Sequence, residues 1–316
     1  MQIPISIIIP TMNRPESLDR TLKYIFEGYN TPNQIVIVDQ SQVEEVRNEN
    51  QKVLLNYKSE NVSTVYEYQL LPSLTKARNL GMSKATNEII VLADDDIDVN
   101  VDTLQNVYSI MQDSNIAMIA GIDELTQSSS TNIGYIFGTK SYSKRNIGHV
   151  TRSMLGRYPD NIKARVETQW AQGYFFVVRK NLMDKWQCRW DESLTSYAYA
   201  EDLDFSFGYY KHAHAEGLKC IIDPTVKVKH LATKEYRIPN AKSLYMYVIN
   251  RAYLSHKHDM GAIGLIASFW CNFWRLIHSI VKRQNPKVLA RAIWCSFIYR
   301  KDICSGNLDY GKFMKE

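Results

Sequence analysis

The stretch Glu88–Asp96, EIIVLADDD, constrains this chain most. Ile89, Ile90, Val91 and Leu92 are four consecutive apolar residues, the pattern of a strand covered on both faces, as in a parallel sheet. They run into Asp94, Asp95 and Asp96. Side chains alternate along extended backbone, so Asp94 and Asp96 fall on one side and Asp95 on the other. Two carboxylates on one side repel unless a cation lies between them. Oxygen-only ligands favour a hard ion, Mg²⁺ or Mn²⁺. Alone, such a triplet is more often an acidic loop capping the next helix. The neighbouring segments shift that balance.

A chain of 316 residues can bury a sizeable core. Its five cysteines show no CxxC pairing, and they read as reduced, mostly buried thiols of a cytosolic protein. A strand begins within a few residues of Met1, with no basic n-region, so a secretory signal is not expected. The net charge of +5 hides an asymmetry. From Leu231 to Glu316 there are 14 Lys/Arg and 5 Asp/Glu, a net of +9, which leaves −4 for the first 230 residues. The basic end also holds Trp270, Trp274 and Trp294. Basic and aromatic together, it points to a membrane surface and away from nucleic acid.

Taken in order, IPISIIIP reads as a buried first strand, and Thr11–Arg14 as a turn. Pro15 suits the first turn of a helix that carries Leu18, Leu22, Ile25 and Phe26 at helical spacing. QIVIVD is a second strand ending on Asp39, and Ser63–Leu70 a third. A helix follows with Ser73 near its start and Lys76, Arg78 and Asn79 in its body, and then the strand into the aspartates. Strand, helix, strand, strand, helix, strand predicts an α/β domain on a mainly parallel sheet. Ligands of such sheets bind beyond the carboxyl ends of the strands. Here those ends carry Thr11, Asn13 and Arg14, then Asp39, then the three aspartates. Neither GxGxxG nor GxxxxGK[ST] occurs, which disfavours dinucleotide and P-loop folds. Asp102–Asp113 reads as a helix, Ile116–Ile122 as a strand, and 125–165 as a polar, irregular excursion or lid. Thr168–Arg179 reads as a strand with a glycine break, 180–187 as a short helix, Glu201–Gly217 as a helix, and Lys219–Lys229 as a strand ending at His230.

Four segments in this order resemble family 2 glycosyltransferases of the GT-A fold: SIIIPTMNRPESL, VDQS, TKARNLGM followed by VLADDD, and W-x-x-G (Trp170, Gly173) followed by AEDLDFSFGYYKHAHAEGLK. Together they span about residues 3–231. The resemblance implies a GT-A catalytic domain over 1–235, with a nucleotide-sugar part to about 123 and an acceptor part over 124–235. It implies inverting transfer of a sugar from a nucleotide-diphosphate donor, UDP above others, to a hydroxyl of a glycan or lipid-linked acceptor. Asp96 is implied as direct metal ligand, with Asp94 on ribose or metal and Asp95 beside them. Pro10, Thr11, Arg14 and Asp39 are implied to hold base and ribose, Arg78 to stand by base or phosphate, and Lys76 to be a weaker phosphate contact. Asp202, second of the Glu201–Asp202 pair, is the implied base. A helix dipole favours its ionised form and Glu201 opposes it. The chain departs from the family at Asp39-Gln40-Ser41, where a second acid is common.

Other residues keep two readings each. His230 is a further metal ligand or a satisfied strand-end histidine. Trp170 stacks on acceptor sugar or packs in the core. Tyr199 lines the acceptor cleft or packs. Residues 236–316 form a basic, aromatic, helical region with helices at 243–256, 262–283 and 287–300. Arg275 interrupts the apolar middle helix, so it is read as lying in a membrane interface rather than spanning, with packing on the catalytic domain the other choice. Together with that helix reading, the family resemblance implies a cytoplasmic protein, peripheral on the inner face of the cell membrane, with a homo-oligomer left open. Two competing readings are a sugar-phosphate nucleotidyltransferase, disfavoured because PTMNRPESL lacks a glycine-rich loop, and a non-catalytic, membrane-bound nucleotide-sugar scaffold.

Overall fold

The computed structural model describes residues 1–126, 134, 136–138, 142–232, 240–283 and 286–315. The chain opens as β1 (Gln2–Thr11), α1 (Pro15–Phe26), β2 (Thr31–Asp39), α2 (Glu44–Leu55), β3 (Ser63–Tyr68), α3 (Leu74–Lys84) and β4 (Ile89–Ala93). Pro15 starts α1, where its missing N–H has no partner to lose. The sequence reading passes from β2 directly to β3 and misses α2. That helix buries only Asn50 and Leu54, so it carries no apolar stripe to detect.

Next come β5 (Ile97–Val99), α4 (Thr103–Ile110) and β6 (Ile116–Asp123). Within the stretch expected to be irregular, β7 (Tyr142–Ser143), β8 (His149–Val150) and β9 (Gly156–Pro159) form a small three-stranded sheet. Residues 127–133, 135 and 139–141 of that stretch lie outside the described residues. Then follow β10 (Val166–Glu167), β11 (Phe175–Arg179), α5 (Lys180–Lys185), α6 (Glu201–Ala215) and β12 (Lys219–His230). The strand expected from Thr168 begins only at Phe175.

The central sheet runs β10-β12-β6-β11-β4-β1-β2-β3, with β5 paired to β12. The β3-β2-β1-β4 half is parallel, as is β6 with β12; β11 runs antiparallel between β4 and β6. The sheet is therefore mostly parallel in the half that sequence alternation predicts, and mixed in the other. Alternate residues of β1 face opposite sides. Ile5, Ile7 and Ile9 meet Leu18, Leu22 and Ile25 of α1, while Ile8 meets Ala77 and Met82 of α3. Each such burial contributes about 1.5–3 kcal/mol. A Cβ on Gly81 would lie 2.4 Å from the Ile8 side chain, so α3 seats on β1 only with glycine there.

After β12 come α7 (Asn240–Lys257), α8 (Gly261–Val281), α9 (Lys287–Ile298), α10 (Arg300–Cys304) and α11 (Tyr310–Phe313). Tyr245, Met246, Val248, Ile249 and Leu254 of α7 share one core with Phe205 and Tyr209 of α6. Lys257 bonds Asp191 and Asp204 at 2.7 Å each, and His258 reaches Asp204 at 2.8 Å. Helix α7 thus packs in one core with α6. Among the described residues no helix is long and apolar enough to cross a membrane.

Candidate active site

Parallel pairing aligns the ends of β1 and β2, setting Thr11 opposite Asp39, while β4 delivers the aspartates from the other side of β1. The chain then turns into β5, which pairs with the end of β12 and sets His230 opposite Ile97. The Leu231 N–H donates to the Asp96 carbonyl at 3.0 Å. This pairing places His230 beside Asp96, with Nε2 3.3 Å from the carboxylate.

The three aspartates divide as the alternation predicts. Asp95 turns toward β1. It accepts from Thr11 Oγ1 at 2.6 Å and Arg14 at 3.0 Å, and its carbonyl accepts from Ser17 at 2.8 Å. Burial pushes its carboxyl up to about 7, against the Arg14 charge and the Thr11 bond. Asp94, Asp96 and His230 turn the other way, and their ligand atoms lie within 4.8 Å of one another. Burial raises the Asp94 carboxyl despite Arg78. Burial works against a proton on His230, but the Asp96 hydrogen bond and the nearby carboxylates outweigh it, so its pKa is raised. Tyr174 stacks on the His230 ring at 5.2 Å, and Asp123 accepts from the His230 N–H at 2.9 Å. Two carboxylates and one imidazole are a donor set that fits a divalent ion.

Arg78 lies behind this trio, almost fully buried. It bonds Glu201 at 2.7 Å, Asp94 at 3.1 Å and the Gly173 carbonyl at 3.0 Å, over the face of Trp190. The Gly173 N–H in turn donates to Asp202 at 2.9 Å. One residue thus ties Asp202 to the guanidinium that holds Asp94. A Cβ on Gly173 would come within 3.2 Å of both Arg78 and Asp202. Asp202 also accepts from the Leu203 N–H at 2.7 Å. Burial holds its carboxyl above the ordinary aspartate range, against Arg78 and these two donors. Burial thus acts in the direction read for Glu201 and against the helix dipole. Burial likewise pushes Glu201 up to about 8, helped by Asp202 and opposed by Arg78. The segment leading here is strained. Ser196, Ala198 and Ala200 all have positive φ, at 63°, 51° and 68°, where side chains are disfavoured.

Several of the residues singled out in sequence are engaged by partners within the protein. Asp39 is fully buried; Ser41 N–H, Asn50 and the Tyr66 hydroxyl donate to it at 2.7, 2.8 and 2.6 Å. Thr11 and Arg14 hold Asp95, and Pro10 is buried in β1. Arg78 is buried and faces Glu201, Asp94 and Gly173. Glu201 anchors Arg78 and is itself buried. Trp170 packs inside: it lies against Gly156, tilts on Tyr158 at 5.0 Å, and donates to the Arg157 carbonyl at 3.2 Å. Lys76 is exposed on α3, and Tyr199 packs edge-on against Tyr247 at 5.4 Å. The sequence reading missed Asn50, Tyr66, Asp123, Tyr174 and Trp190. Only Tyr66 carried a hint, standing on a strand directly beside β2.

Residues 6–186 match the family described as Glycosyl transferase family 2, more than half of the chain. No curated protein matches the chain in sequence. Among solved structures it is similar in fold to GalNAc-T7 with UDP, GalNAc and Mn²⁺, at 17% identity and TM-score 0.58 over 86% of this chain and 54% of that one. The chain thus spans about half of GalNAc-T7. It is also similar to residues 1–349 of S. aureus TarS in complex with UDP-GlcNAc, at 13% identity and TM-score 0.56 over 97% and 89%. A third is the mannosyltransferase PcManGT from Pyrobaculum calidifontis with GDP-Man and Mn²⁺, at 14% identity and TM-score 0.53 over 99% and 86%. With the sheet order, the acidic turn after β4 and the match over 6–186 in agreement, this chain belongs to glycosyl transferase family 2.

Proposed function

We propose that this glycosyltransferase moves a sugar, with inversion, from a nucleotide-diphosphate donor to a hydroxyl of a glycan or lipid-linked glycan. UDP is the preferred nucleotide in this reading, since two of the three similar structures hold a UDP compound. One observation carries the proposal: Asp202 and the Asp94/Asp96/His230 trio are tied to one another through Gly173 and Arg78. Asp94, Asp96 and His230 would hold Mn²⁺ or Mg²⁺, and the imidazole favours Mn²⁺. Such an ion, when bound, stabilises the negative charge that develops on a leaving diphosphate.

The protein's own groups supply the rest. Asp202, fixed by two backbone N–H donors, takes the proton from the attacking acceptor hydroxyl. Its raised pKa makes it a stronger base than a free aspartate. Arg78 holds Asp94 and, through Gly173, keeps Asp202 in register with it. Asp39, gripped by Asn50 and Tyr66, shapes the floor at the end of β2. The cytoplasmic, inner-face location belongs to the same reading.

The test is transfer from a panel of nucleotide sugars with Mn²⁺ and with chelator, together with product anomeric analysis by NMR. Chelator-sensitive transfer with inverted configuration is expected. Retained configuration would remove Asp202 from the role of base, and transfer indifferent to chelator would remove the ion.

A further inference from the structure

Helix α8 is inside out for a helix in water. The residues it buries are small or polar: Gly264, Ser268, Cys271, Asn272 and Ser279. Asn272 accepts from the buried Arg251 at 3.0 Å, and Cys271 meets Ser153 at 3.5 Å, so this stripe faces the protein body. The apolar residues point outward. Ile266 is 68% exposed, Phe269 51% and Phe273 41%. Helix α9 continues the same surface: Trp294 is 64% and Phe297 47% exposed, and Phe297 meets Phe269 edge-on at 6.1 Å. A helix of a protein facing only water presents the opposite pattern, and a contiguous apolar patch marks an interaction surface.

The charge around the patch names the partner. Gly261 to Lys301 contains no Asp or Glu but seven Lys/Arg, among them Lys282, Arg283, Lys287 and Arg291. Apolar and aromatic side chains framed mostly by cations, with Asp302 beside Phe297 and paired to Lys312, fit a bilayer surface with anionic headgroups. Neither helix is long and apolar enough to cross it. We infer that α8 and α9 form a face that lies in the interface of an anionic lipid bilayer. The face is joined to the segments after β6. Trp270 donates to the Ile136 carbonyl at 3.0 Å, and Phe137 packs on Trp274 at 4.1 Å. Docking through α8 therefore sets these segments, and with them the acceptor side, at the lipid surface. This rests on the proposed function only in reading that side as the acceptor's.

The experiment is flotation of the full chain with phosphatidylcholine vesicles, with and without phosphatidylglycerol, at low and high salt, with no donor or acceptor present. The readout is thus independent of sugar transfer. The full chain binds the anionic vesicles, and salt weakens that binding. The double variant Phe269→Ser/Phe297→Ser, at exposed positions, binds about tenfold less at an unchanged thermal midpoint. Lys282→Gln/Lys287→Gln weakens binding and flattens its salt dependence, which keeps the test open should the first variant fold poorly. Three results overturn the inference: no binding to anionic vesicles, binding indifferent to both variants, or a dimer that the Phe269/Phe297 variant breaks while vesicles are ignored.

Discussion

Asp39 and Asp95, on one side, and Asp94, Asp96 and Asp202, on the other, are aspartates of one cleft with different neighbours. Asp39 receives three donors and Asp95 two side chains plus a hydroxyl on its carbonyl. Asp94 has Arg78, Asp96 has His230 at 3.3 Å and Arg14 at 3.7 Å, and Asp202 accepts from two backbone N–H groups. Saturated carboxylates staple strand ends together. Asp94, Asp96 and Asp202 are the carboxylates proposed to meet ion or substrate. The difference teaches that an acidic triplet is not one function: neighbouring side chains tie Asp95 to β1 and bring Asp94 and Asp96 to His230, the proposed ligand pair.

The largest effect that would break this division is at Asp202. Asp202→Asn should lower kcat by about 10²–10⁴-fold with donor affinity kept, measured by steady-state kinetics and nucleotide titration. Loss of donor affinity with a small change in kcat would make Asp202 a strut. Next is Arg78, whose removal leaves buried Glu201 and half-buried Asp94 without their cation. Arg78→Met should destabilise the fold by about 3 kcal/mol in denaturant unfolding, since breaking a buried ion pair is costly. An unchanged midpoint would mean the guanidinium holds neither half. A smaller effect is expected at Tyr66. Tyr66→Phe removes one donor from Asp39 and should cost about 2 kcal/mol of stability with kcat unchanged. A fall in kcat instead would move Asp39 to the active side of the comparison.

The smallest expected signal is in pH. The Asp202 carboxyl sits above its ordinary 3.8. A base works deprotonated, so kcat/KM should rise with pH along an acid limb displaced above that value. A limb at or below it would show that burial does not govern Asp202.

Much of this was legible in the sequence, for identifiable reasons. The four apolar residues before Asp94, Pro15 at the start of α1, and the Glu201 start of α6 are local signals with local causes. The α/β class on a mainly parallel sheet followed from them in order, and the GT-A type from the resemblance of the four segments. What could not be read depended on distant pairing. The direction of β11 and the β5–β12 contact that brings His230 to Asp96 leave no local trace. Trp170 as a core residue depends on Gly156 having no side chain. The polar helix α2 gave no periodicity, yet it supplies Asn50 to Asp39. The apolar middle helix was visible in sequence, but which face it turns outward emerged only when Asn272 and Ser268 proved to be inside.

The division between strut and ligand is tested most directly by one measurement: calorimetric titration of the favoured nucleoside diphosphate, with Mn²⁺ and with chelator, on Asp96→Asn and Asp95→Asn. Asp96→Asn should lose the Mn²⁺-dependent part of the affinity. Asp95→Asn should keep it, at reduced stability. Loss in Asp95→Asn with Asp96→Asn unaffected would contradict the account and exchange the two roles.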